Sequence, residues 1–316
     1  MRLVFLGTPR VAVPTLSAIV EAGHEVSLVV TQPDRPAGRS RSPSATPVKR
    51  FALERGIELF QPAKVRNAAF REKIAFAQPE ALVVVAYGRI LPGKVLSIAP
   101  LGSVNVHFSL LPKYRGAAPV QWTLVNGDCV TGVSTMLMNE KMDEGDILLQ
   151  RELPIEPEEH APALQDRLAA MGAELLLETL SGLQAGSIEP RPQLHDAATL
   201  APMISKEDGE IDPNLTAPQI EGRIRGFDPW PGVWLRRRGK RMRIVDGRAL
   251  DLPPREEPAG TVVELTPEGL VMVCGGGCLL LTAIQPEGKR VLTARDAVNG
   301  RQLQVGDRLE RAQGPA

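Results

Sequence analysis

The chain has 316 residues and no formal net charge, because 37 Lys and Arg balance 37 Asp and Glu. No overall field therefore draws it to nucleic acid or to a membrane, and any basic surface must be local. Hydrophobic residues make up 43% of the sequence, enough for two domains with sizeable cores. Three cysteines are too few for a disulfide framework, and no apolar run approaches a membrane span. We therefore expect a cytoplasmic protein without membrane contact. We also expect a monomer, since nothing in the sequence suggests an obligate interface.

The first part of the sequence alternates predicted strands with predicted helices. Strands are predicted over residues 3–6, 26–30 and 81–85, and helices over residues 13–22, 48–55 and 67–76. This order implies a parallel sheet. A turn with the pattern Gly-x-Gly-x-x-Gly after the first strand would indicate dinucleotide binding, but this turn contains only Gly7. A nucleotide cofactor is therefore disfavoured.

Residues 31–46 are rich in Pro, Gly and Ser and carry Arg35, Arg39 and Arg41. Such a segment cannot bury a core and is predicted to be a loop. Its arginines suit contacts with phosphate groups. A solvated surface loop without a partner is the alternative interpretation.

A β-branched run that begins at Ser103 predicts a further buried strand. Asn105 and His107 are two residues apart, so both side chains project from one face of that strand. Pro112 and Gly116 then break the strand into a loop. An amide and an imidazole thus lie at a strand end, where open α/β sheets bind their ligands. The alternative is a hydrogen-bonded Asn and a core His beside a turn.

Strands predicted over residues 131–138 and 147–153 flank an acidic turn that contains Asp143. Together with Asn105 and His107, this carboxylate suits acyl transfer to an amine. The amide and the ring would stabilise an oxyanion, and a His oriented by a carboxylate would move protons. No Ser or Cys nucleophile is required, and no Gly-x-Ser-x-Gly elbow is present. Metal ligation by His107 and Asp143 lacks an evident third ligand, so we expect no metal.

The alternation of helix and strand ends around residues 190–205, after a helix predicted from Pro162. We therefore expect a catalytic domain over residues 1–190, a linker over 191–205 and a second domain over 206–316. In the second domain a short helix is predicted over 218–226 and short strands over 233–236, 241–245, 260–265, 270–273 and 278–283. Five such strands indicate a small β-barrel.

A predicted hairpin around Gly239 is strongly basic. Six of eight consecutive positions carry a cation, namely Arg236, Arg237, Arg238, Lys240, Arg241 and Arg243. So many charges of one sign favour a contact with a phosphate backbone over a hairpin that is merely soluble.

Several motifs surround the candidate site. They are Asn105-x-His107, Ser109-Leu110-Leu111-Pro112, Arg115-Gly116-Ala117-Ala118-Pro119 and Asp143-x-Gly145-Asp146, with Val85-Ala86-Tyr87-Gly88 and Phe227-x-Pro229-Trp230-Pro231 elsewhere in the chain. Together they resemble the folate-dependent formyltransferase family over nearly the whole chain. The resemblance implies a Rossmann-like parallel-sheet formyltransferase domain followed by a small OB-like β-barrel domain that binds tRNA. It also implies 10-formyltetrahydrofolate as formyl donor and the α-amine of methionine on initiator tRNA as acceptor.

The resemblance also implies roles for individual residues. It makes Asn105, His107 and Asp143 the catalytic set. The folate site would be formed by Ser109, Leu110, Leu111, Pro112, Val85, Ala86, Tyr87 and Gly88. The tRNA would meet the loop with Arg35, Arg39 and Arg41, and the second domain through Arg236, Arg237, Arg238, Lys240 and Arg241. Phe108 stands where the family usually has a small residue or proline, and its ring either alters the folate pocket or packs away from it.

Two other functions stay open at this stage. One is a folate-dependent formyltransferase that acts on a small amine, such as a sugar-nucleotide or glycinamide ribonucleotide. A small acceptor would need neither a basic second domain nor an Arg-rich loop. The other is an RNA-binding protein without catalysis, against which the intact Asn105, His107 and Asp143 argue.

Overall fold

The computed structural model describes residues 1–36, 43–253 and 255–311. The helices span Val13–Glu21 (α1), Pro47–Glu54 (α2), Ala68–Phe76 (α3), Gly93–Leu96 (α4), Pro119–Val125 (α5), Ala161–Ala185 (α6), Ala217–Gly226 (α7) and Ala294–Asn299 (α8). The strands span Arg2–Gly7 (β1), Glu25–Val30 (β2), Arg35–Pro36 (β3), Pro43–Ser44 (β4), Leu59–Phe60 (β5), Ala81–Val85 (β6), Ser103–His107 (β7), Arg115–Gly116 (β8), Val130–Leu137 (β9), Ile147–Pro154 (β10), Leu200–Ala201 (β11), Val233–Arg237 (β12), Lys240–Leu250 (β13), Val262–Leu265 (β14), Leu270–Val273 (β15), Cys278–Pro286 (β16) and Leu292–Thr293 (β17). Among the described residues, none of the helices combines the length and apolar character needed to cross a bilayer.

The chain divides into two compact units, each built from more than one segment. The first unit comprises Met1–Pro119, Val130–Pro154 and Gln165–Pro202. The second comprises Val120–Cys129, Ile155–Leu164 and Met203–Ala316. The domain boundaries expected at residues 190 and 206 stay a prediction.

The first unit is built on a seven-stranded sheet in the order β10-β9-β7-β6-β1-β2-β5. The five strands from β7 to β5 are parallel, which confirms the Rossmann-like α/β fold. At the other edge β9 pairs antiparallel with β7, and β10 pairs antiparallel with β9. The connection over residues 138–146 contains no helix, so it is a hairpin and not the crossover that a parallel pair needs.

The apolar runs of the central strands are covered on both faces. Leu3 to Leu6 of β1 and Ala81 to Val83 of β6 have no exposed surface. On one face the even-numbered residues of β1 and β6 pack with Phe70 and Ile74 of α3. On the other face Gly172 of α6 lies against Val106 of β7. Burial on both faces explains why these strands lack an alternating pattern.

The second unit contains an antiparallel sheet in the order β12-β13-β16-β15-β14, with β17 paired to β16. Strands β13 and β16 are longer than the sequence predicts, because bulges around Asp246 let pairing continue through a polar stretch. Residues 307–310 join the two edges of the sheet. Arg236 of β12 pairs with Glu310, and Thr261 next to β14 pairs with Arg308. Over the described residues the edges are thus linked by single bridges and not by the continuous pairing of a closed barrel.

Candidate active site

Asn105 and His107 lie near the carboxyl end of β7, in the middle of the first unit's sheet. Asn105 pairs with Val84 of β6 and with Met136 of β9. The two residues are 8% and 6% exposed, so each side chain is a polar group set in an almost water-free environment. Within the described residues the Asn105 carboxamide has no hydrogen-bond partner, which leaves its N–H groups available to a ligand.

The hydrogen bonding of His107 fixes its tautomer. His107 Nε2 lies 2.9 Å from the carbonyl oxygen of Tyr114. A carbonyl oxygen only accepts, so Nε2 carries the proton and donates it. In the neutral ring Nδ1 then has the free lone pair. That nitrogen faces Asp143, with 3.8 Å between Nδ1 and Oδ2.

Asp143 reaches the site from the turn between β9 and β10. Its carboxylate Oδ2 accepts a hydrogen bond from the main-chain N–H of Gly116 at 2.9 Å. Its backbone adopts a left-handed conformation with φ of 53°. This conformation is uncommon for a residue other than Gly and must be held by its surroundings. The structure thus brings His107 and Asp143 together, which their spacing in the sequence could not establish.

The loop after β7, residues 109–112, contains four of the residues expected at the folate site: Ser109, Leu110, Leu111 and Pro112. The Ser134 hydroxyl of β9 donates to the carbonyl of Ser109 at 2.6 Å and accepts from the N–H of Leu111 at 3.0 Å. The Ser109 hydroxyl donates to the Lys113 carbonyl at 2.6 Å. Two serine hydroxyls are therefore used to hold the loop in one conformation.

The loop after β6, with Val85, Ala86, Tyr87 and Gly88, is held through its backbone. Gln32 Nε2 donates to the Tyr87 carbonyl at 2.8 Å, and Thr8 Oγ1 donates to it at 3.2 Å. The Tyr87 ring is 1% exposed, and burial raises the pKa of its hydroxyl to about 12. The Tyr87 ring therefore belongs to the hydrophobic core. A ligand would contact this loop through its backbone.

A basic groove that the sequence did not predict lies beside this loop. The groove encloses about 540 Å³ and is lined by Ala63, Lys64, Val65, Arg66, Asn67, Arg89 and Ile90. Arg89 donates to the carbonyl of Ala63 at 2.8 Å, which ties the two walls together. Three cations in one concave surface favour an anionic ligand group. In the sequence, the feature that could have indicated this groove is the position of Arg89 directly after Gly88.

The ring of Phe108 packs away from the site. A Cβ built on Gly172 of α6 would lie 2.8 Å from Val106 and 3.4 Å from Phe108. Val106 and Phe108 thus share the face of the chain opposite to Asn105 and His107. Phe108 therefore fills the contact with α6 and does not occupy the face that carries Asn105 and His107.

The basic residues expected to meet tRNA have very different environments. Arg237 is 14% exposed and forms an ion pair with Asp307 at 2.6 Å. The guanidinium groups of Arg236 and Arg241 lie over the Trp234 ring, 5.3 and 4.4 Å from its centroid. Arg238 is 79% exposed and its Nη2 also lies 3.3 Å from Asp307 Oδ1, and Lys240 is exposed. The hairpin therefore offers some of its cations to a partner and uses Arg237 to hold the fold.

In the first unit Arg35 is exposed on β3, which pairs with β4 at the base of the Arg-bearing loop. Arg39 and Arg41 lie outside the described residues. No group of three or more His, Cys, Asp or Glu suited to a metal ion occurs within the part of the chain that the structure describes.

Sequence profiles identify the family. The formyl transferase profile matches residues 1–180, and the profile of the formyl transferase C-terminal domain matches residues 203–302. The chain belongs to the formyl transferase family. Both units therefore have counterparts in the family.

Methionyl-tRNA formyltransferases from several bacteria match this chain over nearly its full length. Methionyl-tRNA formyltransferase of Solibacter usitatus is 48% identical over 309 residues, which is 98% of each chain. The enzyme of that name from Koribacter versatilis is 49% identical over 315 residues, 98% of this chain and 99% of its own.

Solved structures share the fold at low identity. A sugar 3N-formyl transferase, WlaRD, has a TM-score of 0.67 at 16% identity and covers 92% of this chain and 99% of its own. HypX from Aquifex aeolicus, in complex with tetrahydrofolic acid, has a TM-score of 0.63 at 17% identity. The match covers 96% of this chain and 48% of HypX, so this chain spans about half of that protein.

Proposed function

We propose that this protein transfers the formyl group of 10-formyltetrahydrofolate to the free α-amine of methionyl-tRNA and acts on the initiator tRNA. The observation that carries the proposal is the match to methionyl-tRNA formyltransferases at up to 49% identity, which includes the second unit. The sugar 3N-formyl transferase also matches 92% of this chain, but at only 16% identity, so it is the sequence identity, and not the presence of the second unit, that favours tRNA as the acceptor. The finer assignments are ours as well: the protein acts as a monomer in the cytoplasm, where aminoacyl-tRNA is made.

The chemistry begins with attack of the α-amine nitrogen on the formyl carbon. The C=O bond opens and its oxygen becomes an oxyanion. The Asn105 amide donates to this oxyanion, which stabilises charge that develops only in the transition state. The carbon–nitrogen bond to N10 of the folate then breaks, and tetrahydrofolate leaves.

Protons move through His107. Because its Nε2 is committed to the Tyr114 carbonyl, Nδ1 is the atom that takes the proton from the attacking nitrogen. The imidazolium so formed faces the Asp143 carboxylate, which stabilises the positive charge. His107 then gives the proton to the leaving N10. No net proton is consumed, since one nitrogen loses what the other gains.

The folate co-substrate fits the two loops that flank the site. Residues 109–112 and 85–88 present backbone groups in fixed positions, suited to hydrogen bonds with a heterocycle. The basic groove with Lys64, Arg66 and Arg89 continues from Gly88 and suits the carboxylates of the glutamate moiety. The donor would thus span from the groove to Asn105.

The tRNA is bound by charges on both units. In the first unit the contact is the loop with Arg35, Arg39 and Arg41. In the second unit it is the hairpin of β12 and β13, through the exposed Arg238 and Lys240 and the stacked Arg236 and Arg241. Arg237 is excluded from our set, because its ion pair with Asp307 buries it.

The test is a formyl-transfer assay with 10-formyltetrahydrofolate and three acceptors: charged initiator tRNA, charged elongator methionine tRNA and a small amine such as glycinamide ribonucleotide. We expect rapid formylation of the initiator tRNA alone. Transfer to the small amine with none to tRNA would assign the small-amine activity instead. Tight tRNA binding without any transfer would indicate an RNA-binding protein.

A further inference from the structure

Gln193 is a buried amide with every hydrogen-bonding group in use. It is 5% exposed and belongs to the first unit, in a stretch where the sequence predicts a linker. Its Oε1 accepts from Arg115 Nε at 3.0 Å and from the terminal Nη2 of Arg115 at 2.8 Å. Its Nε2 donates to the carbonyl of Asp143 at 2.9 Å and to that of Gly145 at 2.7 Å.

Arg115 adds charge to this contact. Its guanidinium is 7% exposed, and its Nη1 lies 3.9 Å from Glu144 Oε1 in the same turn. It also lies 3.3 Å from His195 Nδ1. A buried cation needs such partners, and the single oxygen Oε1 of Gln193 accepts from two N–H groups of the guanidinium. Arg115 thereby fixes the plane of the Gln193 amide, and so the direction of its N–H groups.

The amide in turn holds the conformation that Asp143 requires. The two N–H groups of Gln193 donate to the carbonyls of Asp143 and Gly145, which flank Glu144. In this turn Asp143 has φ of 53°. The chain around Gln193 is itself anchored, because Arg191 and Ile147 exchange two backbone hydrogen bonds at 2.8 and 2.9 Å. The turn is therefore clamped at its tip by Gln193 and at its end by Arg191.

We propose that Gln193 is a positioning residue for formyl transfer that acts through Asp143. It sets the backbone of the turn so that the Asp143 carboxylate meets the Gly116 N–H and faces His107 Nδ1. Arg115 orients Gln193 for this task. The inference rests on the proposed function for its kinetic readout and on hydrogen exchange for a readout that is independent of the reaction.

Two substitutions of the full-length protein separate the two halves of the amide. Gln193→Met removes the donor and the acceptor at nearly constant length. Gln193→Glu keeps an acceptor for Arg115 but loses the donor to the turn and adds an anion beside Asp143 and Glu144. We expect both variants to lower kcat about 10- to 100-fold with little change in the KM for either substrate, because a small misplacement of a catalytic group has effects of this size. Gln184→Met, on an exposed position of α6, is the matched control and should leave kcat unchanged.

A double-mutant cycle with Asp143→Asn distinguishes positioning from a general structural role. In the Asp143→Asn background, Gln193→Met should lower kcat by less than about a further 3-fold, because the effects of residues that act as a unit are not additive. If the decreases in kcat of the two single variants were fully additive, the proposal would be overturned. A wild-type kcat for Gln193→Glu would overturn it as well.

Amide hydrogen exchange of the protein without substrates gives the second readout. Protection of the Gly116 N–H reports directly on the Asp143 carboxylate. Relative to Gln184→Met, we expect both Gln193 variants to lose more protection at Gly116 and at residues 143–145 than at the amides of the central strands β1 and β6, so that the loss is local to the turn and exceeds any general destabilisation. Unchanged protection at Gly116 would overturn the inference even if no acceptor were formylated, whereas failure of the transfer assay alone would overturn only the proposed function.

Discussion

At the scale of single residues, the site depends on one free nitrogen. The Tyr114 carbonyl fixes the proton on His107 Nε2, so the ring turns its lone pair toward Asp143. The neighbouring Asn105 carries no partner among the described residues. The fold thus fixes the orientation of the His107 ring, as a proton carrier requires, and leaves the Asn105 amide available to the substrate, as an oxyanion donor requires.

Replacing either side chain should remove most of the activity. We expect His107→Ala and Asn105→Ala each to lower kcat by about 100-fold or more, because the first removes the proton carrier and the second removes an oxyanion donor. Steady-state kinetics with charged initiator tRNA measures the effect. Asn299→Ala, at the exposed end of α8, is the control and should turn over normally. Near-normal kcat of either site variant would take that residue out of the mechanism.

What a sequence predicts about single residues depends on whether the argument is local. The shared face of Asn105 and His107 followed from the period of a strand. The approach of Asp143 to His107 did not, since 35 intervening residues must fold first. The contacts of Gln193 and the burial of Tyr87 were out of reach for the same reason, because both depend on residues that are distant in the sequence.

At the scale of elements, the hairpin of β12 and β13 divides its cations between two tasks. Arg237 and Asp307 form a pair that is almost fully buried. Arg236 and Arg241 stack on Trp234. Lys240 is exposed, and Arg238 is mostly exposed while its Nη2 lies 3.3 Å from Asp307 Oδ1. A run of six basic residues therefore overstates the charge that a nucleic acid can meet.

This division predicts different effects for neighbouring substitutions. Arg238→Ala and Lys240→Ala should each weaken Met-tRNA binding about 2- to 10-fold and reduce the slope of log K against log salt by about 1, because each removes one phosphate contact. Arg237→Ala should instead lower the midpoint of thermal unfolding, because it leaves Asp307 buried without its main partner. Filter binding at several salt concentrations and a thermal melt measure the two effects. An unchanged salt slope for both exposed-residue variants would place the hairpin away from the tRNA.

The bounds of most elements could be predicted from the sequence, and the pairing of strands only in part. The parallel centre of the first sheet followed from the alternation of helix and strand. The antiparallel edge depends on the short connection over residues 138–146, and the length of β13 depends on bulges that its partner β16 tolerates. Such features are decided by neighbours in space.

At the scale of the whole molecule, the balance of charge is zero and the charge is arranged in clusters. One cluster in the second unit surrounds His160. Its Nδ1 lies 3.2 Å from Asp228 and its Nε2 lies 3.8 Å from Asp246. The carboxylates of Asp246 and Asp228 raise the pKa of His160 above its ordinary value and outweigh burial, which lowers it. The contact with His160 lowers the pKa of Asp246 to about 2.

The cluster predicts a dependence of stability on pH. A raised pKa means that the folded protein holds the His160 proton more tightly than the unfolded chain does. The stabilisation is therefore complete below the ordinary value of 6.5 and is lost as the pH rises through the folded value. We expect the difference in unfolding free energy between the unchanged protein and His160→Gln to be larger at about pH 6 than at about pH 8.5. Urea denaturation at both pH values measures it, and an equal difference at both would contradict the assignment.

The short link at residues 307–310 has a consequence for the second unit. A strand at the border of a sheet offers its bare amides and carbonyls to any other chain, which is a route to aggregation. Here two such borders, β12 and the start of β14, are covered by the same few residues through Glu310 and Arg308. Residues 307–310 thus cover both edges of the sheet at once. Truncation before residue 307 would expose the unpaired backbone groups of both edge strands together.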